Sequence, residues 1–426
     1  MRSIVPAVLM ALLASPVLAG THVARCGRLL DVRTGRVSQN QVVMFDDRGI
    51  IDFVGPAASA TIAADAEQLD LSGFFCLPGL IDVHTHMNSN PGDTGYDGLA
   101  ISPPRAAIFG ARNARLTLQA GFTTVRNLGE MGFSDVAVRD GILAGDIEGP
   151  DMLVSGPALG ITGGHTDNNL LPFEYHYRFE GVADGPWAAR AKVREVIKYG
   201  ADVIKVMASG GVFSKGDAPG TAQYTLEELQ AIVDEAHKLG RKVAMHAHGL
   251  QSIKDAIRAG ADSVEHATYI DDATIELAKS RGTWLVFDIY NDDYILAQGK
   301  TDGSLQESLD KEAQIGRIQR ENFRRAQRAG AKIAYGTDAG VYPHGGNARQ
   351  LAKMVEWGMT PLQAIQTATL NAADLLGRAD RLGVLEPGHR ADLIAVREDP
   401  VRNVAVLEHV DFVMKAGVVF KGRPGT

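Results

Sequence analysis

LIDVHTH, residues 80–86, runs a short apolar and β-branched stretch directly into two histidines, and its rhythm repeats along the chain. Runs of the same kind follow at FTTVRNL (122–128), MLVSGPAL (152–159), DVIKVMA (202–208), KVAMHAH (242–248), DSVEHAT (262–268), WLVFDIY (284–290) and AKIAYGTD (331–338). Segments of helical period lie at 104–119, 186–199, 225–239, 250–259, 272–281, 307–329, 347–357 and 361–376. Short strands alternating with helices indicate βα units and a parallel sheet, and eight such strands close a barrel. Thr225 with Glu228 predicts a capping box at one helix start, and Gly240 and Gly260 are helix stops. The expected fold class is α/β, a (β/α)8 barrel of the TIM type over 80–382.

Outside that span the pattern changes. Residues 20–79 and 383–426 alternate like half-buried antiparallel strands, so the two chain ends are expected to pair into one small β-sandwich beside the barrel. The opening MRSIVPAVLMALLASPVLAG reads as a secretory signal over 1–19, cleaved after Ala19, which places the mature protein in the periplasm or outside the cell. A membrane anchor is the competing reading, but the apolar run is shorter than the roughly 20 residues a span requires and holds Pro6 and Pro16. No other stretch is apolar enough to cross a membrane, so none is expected as a partner after cleavage. The net charge of −8 and the lack of a Lys/Arg cluster argue against nucleic acid. Two cysteines, Cys26 and Cys76, exclude a disulfide framework; one bridge or two buried thiols both remain open.

The metal-ligand residue types gather on one end of the strands. His84 and His86 end the first, Lys205 lies in the fourth, His246 in the fifth, His266 in the sixth, and Asp338 ends the eighth. Side chains at i and i+2 of a strand point the same way, so His84 and His86 form a two-point chelate. Any one histidine alone at such a position is more often a packed or hydrogen-bonded core residue. Four of them with an aspartate, all at the C-terminal ends where barrel side chains converge, do not read as core filling.

These residues sit in motifs that resemble the amidohydrolase superfamily, in the branch of imidazolonepropionase-like proteins and binuclear zinc dipeptidases: PGLIDVHTH (78–86), VIKVMASGG (203–211), VAMHAHG (243–249), SVEHAT (263–268), YGTDAG (335–340) and GVLEPGHRADLIAV (383–396). Within it, the chain is most similar to prolidase-like enzymes and ochratoxin-degrading amidases. The resemblance implies two divalent ions, usually zinc, one held by His84, His86 and Asp338 and the other by His246 and His266, with Lys205 bridging as a CO2-derived carbamate. An ammonium cannot donate to a metal, whereas a carbamate can; a plain ion pair of Lys205 with Asp202 or another carboxylate is the alternative. Two such ions ionise water near neutral pH and polarise a carbonyl, and Asp338 would carry the proton to the leaving amine. The implied reaction is cleavage of an amide bond to a C-terminal amino acid, in Xaa-Pro or Xaa-Arg/Lys dipeptides or in N-acyl amino acids such as ochratoxin A. Closed homo-oligomers are implied as well.

Substrate contacts are read less sharply. By resemblance His165 lies near the scissile carbonyl and Tyr224 touches the substrate α-carboxylate, though either also reads as an ordinary loop residue. His344 is expected to line the pocket, His248 to stand behind the ligands, and Arg126 to be an internal ion-pair partner. In the loop 288–303, Asp288, Asp292 and Asp293 offer a counter-charge for a basic leaving group, or cap the next helix. Loops 87–104 and 160–185 are long enough to roof the site. Competing functions on the same barrel are a lactonase or phosphotriesterase, a ring-amide hydrolase or deaminase, and a scaffold protein; Lys205 disfavours a mononuclear ring hydrolase, and the complete ligand set disfavours a scaffold.

Overall fold

A computed structural model describes residues 21–422; the segment 1–19 expected from sequence to be a secretory signal lies outside the described residues. Four strands, β1 (His22–Leu30), β2 (Val37–Phe45), β3 (Ile51–Pro56) and β4 (Glu67–Pro78), precede the barrel. The barrel strands are β5 (Leu80–Thr85), β6 (Phe122–Asn127), β7 (Asp151–Val154), β8 (Val203–Met207), β9 (Lys242–Ala247), β10 (Ser263–His266), β11 (Trp284–Phe287) and β12 (Ile333–Tyr335). They form two parallel ladders, β5-β6-β7 and β8 through β12. Isolated parallel bridges join the ladders on both sides, Thr85 to Ala339 and Leu159 to Val206, so the eight strands follow one another around a ring.

Strand β7 is shorter than the run 152–159 because Gly156 takes φ +59° and Pro157 has no amide to give the ladder. Pairing with β8 resumes at Leu159, whose amide donates to the Lys205 carbonyl at 2.8 Å. The helix Leu226–Lys238 starts with both arms of the predicted capping box, Thr225 to the Glu228 amide and Glu228 back to the Thr225 amide. Helices absent from the sequence reading include Ser134–Ala144 after β6 and Asn291–Gln298 within the stretch read as the loop after β11. The segment 361–376 is broken by a π turn over Thr367–Asn371.

The chain ends meet in one continuous seven-stranded sheet, with β13 (Leu393–Val396), β14 (Phe412–Lys415) and β15 (Val418–Lys421) in the order β15-β14-β13-β4-β1-β2-β3. Strand β4 pairs parallel with β1 and antiparallel with β13, and it leads through Gly79 straight into β5. Both cysteines are free thiols, buried in β1 and β4. Among the described residues, no helix is long and apolar enough to cross a membrane.

Candidate active site

The C-terminal ends of the barrel strands bring the predicted ligand types together. Asp338 Oδ1 stands 2.9 Å from His86 Nε2 and 3.3 Å from His84 Nε2. His246, His248 and His266 form a second group and His266, Asp288 and Asp338 a third, each with one donor atom per residue within 4.8 Å of the others. Shared members make the three groups contiguous. Lys205, 1% exposed, enters from β8 with Nζ 3.4 Å from His84 Nε2. Asp202 is occupied elsewhere, bonded to Arg139 at 2.8 Å, so the Lys205–Asp202 pair entertained from sequence does not form.

Two backbone departures aim these groups. Glu265 and His266 are consecutive in β10, yet both face the site, whereas a regular strand would turn one outward. The reason is that His266 and Ala267 adopt φ +69° and +49°, leaving the β region. Asp338 does the same at φ +59°, with its amide donating to the His84 carbonyl at 2.7 Å. Such conformations cost on the order of 1–3 kcal/mol each and persist only where the surroundings over-determine them.

The imidazoles are oriented from behind. A carbonyl oxygen can only accept, so the ring nitrogen facing it carries the proton and the other presents a lone pair. His86 Nδ1 donates to the Gly129 carbonyl at 3.3 Å, which turns Nε2 toward Asp338, while His246 Nε2 donates to the Gly210 carbonyl at 3.1 Å, freeing Nδ1. His266 Nδ1 faces Asp288 Oδ1 at 3.0 Å, and His84 Nδ1 faces Glu265 Oε2 at 3.1 Å. The His266–Asp288 hydrogen bond fixes the His266 tautomer and raises basicity as carboxylates behind metal-binding imidazoles do, whereas the His84–Glu265 contact is an ion-pair distance without hydrogen-bond geometry. Glu265 also pairs with the buried Arg126 at 2.9 Å, which confirms Arg126 as an internal ion-pair partner. Sequence reasoning missed Glu265 because strand alternation places a neighbour of His266 on the outer face.

Electrostatics follow from burial. Burial drives the His84, His246 and His248 pKa values well below the ordinary imidazole range, so these rings are neutral near pH 7. Burial also brings Lys205 down to about 8, against the raising effect of Glu265 and Asp338. For Asp338 burial pushes upward, but His84 and His86 prevail and hold the carboxyl far below its usual value. His86 is pulled down by burial and raised on balance by Asp338. Beneath the site, Asp82 accepts from Thr337 Oγ1 at 2.6 Å and Asn347 Nδ2 at 2.8 Å, locking β5 to the end of β12.

A cavity of about 210 Å³ lies over this cluster, its wall including His165, Phe213, Asp288, Asn291, Glu312 and Gln319. A wider space of about 690 Å³ shares His165, Ser89, Asp93, Thr94 and Phe213 with it and is bounded by the loops after β5 and β7, the two loops expected to roof the site. His165 stacks on His246 at 4.4 Å between ring centres, and its Nδ1 lies 2.7 Å from Ser214 Oγ. Ser214 donates to Asp217, which pairs with the buried Lys311 at 3.0 Å. Burial lowers the His165 pKa to about 4.

Other expectations are redirected. The Tyr224 hydroxyl donates to the Ala183 carbonyl at 2.9 Å, and its buried ring packs in the barrel-wall core rather than on the cavity. His344 stands behind His86, with Nε2 3.1 Å from the His86 carbonyl and Nδ1 3.3 Å from Thr117, so it does not line the cavity. Asp292 and Asp293 are consumed by Arg320, each at 2.9 Å, and Asp293 also binds Lys353 at 2.7 Å. Of the three loop aspartates only Asp288 reaches the cavity, where Gln319 Nε2 donates to it at 2.6 Å. Asn291, unnoticed in the sequence, donates to Asp288 Oδ2 at 2.7 Å and to Asp338 Oδ2 at 3.0 Å.

The Amidohydrolase family model matches residues 75–421. The ochratoxinase of Aspergillus niger is 38% identical over 374 residues, covering 82% of this chain and 76% of its own, and its crystal structure superposes with a TM-score of 0.84 over 95% of this chain and 96% of that one. A crystal structure of a Xaa-Pro dipeptidase with bound methionine in the active site is 35% identical, with a TM-score of 0.87 over 94% of this chain and 100% of its own. An imidazolonepropionase of Micrococcus luteus is 26% identical over 376 residues, 84% of this chain and 88% of its own.

Proposed function

Since the chain belongs to the amidohydrolase family, we propose that it hydrolyses the amide bond to a C-terminal amino acid, in dipeptides of the Xaa-Pro or Xaa-Arg/Lys kind or in N-acyl amino acids such as ochratoxin A. The observation that carries this reading is the convergence of His84, His86, His246, His266 and Asp338 around Lys205 at the floor of one cavity. Similarity to an ochratoxinase and to a Xaa-Pro dipeptidase supports the amide and the amino-acid leaving group.

The donor set fits a pair of divalent cations. The inward-facing nitrogens His86 Nε2 and His246 Nδ1, the anionic Asp338 carboxylate and two imidazoles with carboxylates behind them are nitrogen and oxygen donors of the type zinc takes. When bound, such ions supply a Lewis acid for the scissile carbonyl and lower the pKa of water to near neutrality. His84, His86 and Asp338 would hold one and His246 with His266 the other. Lys205 would join them as a carbamate; its suppressed pKa supports this, because only the neutral amine reacts with CO2.

The chain's own part is positioning and proton transfer. Asp338, anchored through Oδ2 by Asn291, takes the proton from the attacking water and passes it to the amide nitrogen. His165, locked through Ser214 to Asp217, turns its other edge toward the cavity where the substrate carbonyl is held. We also propose, from the leader at 1–19, that this takes place outside the cytoplasm.

The test is a screen of Xaa-Pro, Xaa-Arg, Xaa-Lys and N-acyl amino acids, ochratoxin A included, against protein of measured metal content. Hydrolysis should vanish on chelation and return with two equivalents of zinc. Lys205→Ala should lose both metal and activity; two ions and full activity in that variant would refute the bridge. Turnover confined to lactones, phosphotriesters or ring amides would refute the substrate class.

A further inference from the structure

The cavity wall holds one ionisable group for which the proposed reaction has no use. Glu312 is 5% exposed and lies on the helix Gln306–Arg328, one turn before Ile315 and two before Gln319, and all three face the cavity. Gln319 is spent on Asp288. Glu312 has no hydrogen bond and no ion pair to any described residue.

The nearby cation forms no ion pair with it. Arg320 holds its two terminal nitrogens 2.9 Å from Asp292 and Asp293 and donates its Nε to the Ile289 carbonyl, so its charge is already shared by two nearer carboxylates. Lys311, adjacent in sequence, is bonded to Asp217 and to the carbonyls of Gly211 and Ser214. Around Glu312 the remaining charges are the carboxylates of Asp288, Asp292 and Asp338, all of which repel a negative charge there. Burial raises the Glu312 pKa to about 8 under these conditions. An unpaired carboxyl is costly in such a place unless a partner arrives from outside.

We propose that Glu312 is a specificity-determining residue that receives a cationic group of the substrate, an ammonium or guanidinium, above the reacting centre. This rests on the amide-hydrolase reading and narrows it: the preferred substrate is a peptide-like amide bearing a positive charge, not a neutral N-acyl amino acid. The cation comes either from a basic leaving residue or from the free α-amino group on the acyl side, and both present the same donor chemistry to the carboxylate.

Matched substrates separate these sources with the wild-type holoenzyme. Ala-Lys against Ala-norleucine changes the charge on the leaving side chain alone, and Ala-Phe against propionyl-Phe changes it on the acyl side alone. One of the two pairs should favour its cationic member by about 10–100-fold in kcat/KM, the range of a hydrogen-bonded charge in a desolvated site. Glu312→Gln, which keeps the shape and removes the charge, should collapse that ratio to within about threefold through a rise in KM for the cationic member, with metal content unchanged. If both pairs are cleaved at equal efficiency, the assignment of Glu312 is wrong while the hydrolase reading stands. If the ratio survives in Glu312→Gln, another group binds the cation and the assignment is again overturned. Should none of the four amides be cleaved, this inference falls, while the hydrolase reading is decided separately by the screen that includes Xaa-Pro dipeptides and ochratoxin A. If Glu312→Gln does not fold, Glu312→Met reads the same ratio, and the wild-type pairs alone still overturn the assignment when neither favours its cationic member.

Discussion

Replacing Gly211 by alanine isolates the contribution of the His165 ring. A Cβ built on Gly211 falls 2.1 Å from His165 Cε1, 2.4 Å from Nε2 and 2.5 Å from Nδ1. To restore ordinary contact near 3.4 Å, the ring must retreat by about 1.3 Å. Retreat breaks the 2.7 Å contact with Ser214 and the 4.4 Å stack on His246. The clash is with a side chain and not with backbone, so the fold yields cheaply, with an expected loss of no more than about 1–2 kcal/mol. The reacting geometry does not yield cheaply: a misplacement of about 1 Å near the chemistry costs on the order of 100-fold. Gly211→Ala should therefore bind its full complement of metal, unfold within a few degrees of the wild type, and show a kcat lowered by about two orders of magnitude. Steady-state kinetics on the best substrate, with metal analysis and thermal melting of the same sample, provide the check. A folded, metal-replete variant with wild-type kcat would mean that the His165 ring is not part of the reacting geometry.

Glu265→Gln should destabilise the protein by about 3–5 kcal/mol in urea unfolding, because it leaves Arg126 charged, buried and unpaired; adding Arg126→Met should recover part of that loss, and no recovery would argue against the pair. Tyr224→Phe removes the bond to the Ala183 carbonyl, so it should cost about 1 kcal/mol of stability and leave KM unchanged; a tenfold rise in KM would restore Tyr224 as a substrate contact. Burial lowers the His344 pKa to about 4 from the ordinary 6.5, so the unfolded chain takes up the proton first as pH falls. The wild type should thus lose up to about 1.4 kcal/mol per pH unit relative to His344→Gln between pH 6.5 and 4, with no further divergence below; an unchanging difference across that window would exclude a neutral buried His344.

The eight strands and the ligand types were legible because both rest on local signals. Apolar runs of strand length, separated by helical period, need no knowledge of tertiary contacts, and the i, i+2 spacing of His84 and His86 carries their common direction with it. What was not legible depends on departures from regular geometry or on partners far along the chain. Ser134–Ala144 carries Asp140 and Gly141 where an unbroken apolar stripe was sought, so its helix passed unnoticed. Tyr224 precedes a sound capping box, which says where the helix starts but not that the phenol will find the Ala183 carbonyl 41 residues away. The loop aspartates were read as one set, yet Arg320 and Lys353, both on later helices, withdraw Asp292 and Asp293 and leave Asp288.

Residues Glu265 to Ala267 show why the site needs a local violation of strand geometry. His84 requires an anion behind Nδ1, and the interior position at β10 that can supply it is Glu265, which is tied at the same time to Arg126. His266 is needed on the same side to meet Asp338 and His246. Period-two alternation forbids both from consecutive positions, so one residue must leave the β region, and it does so at the strand end, where only the ladder beyond is lost. Asp338 repeats the solution at the end of β12, turning back so that its amide reaches the His84 carbonyl. The strain at these two positions is held by contacts that the ligands themselves require. A rigid cluster of donors aimed at one point is thereby prepared before any ion or substrate enters, and reorganisation is avoided at the moment of reaction.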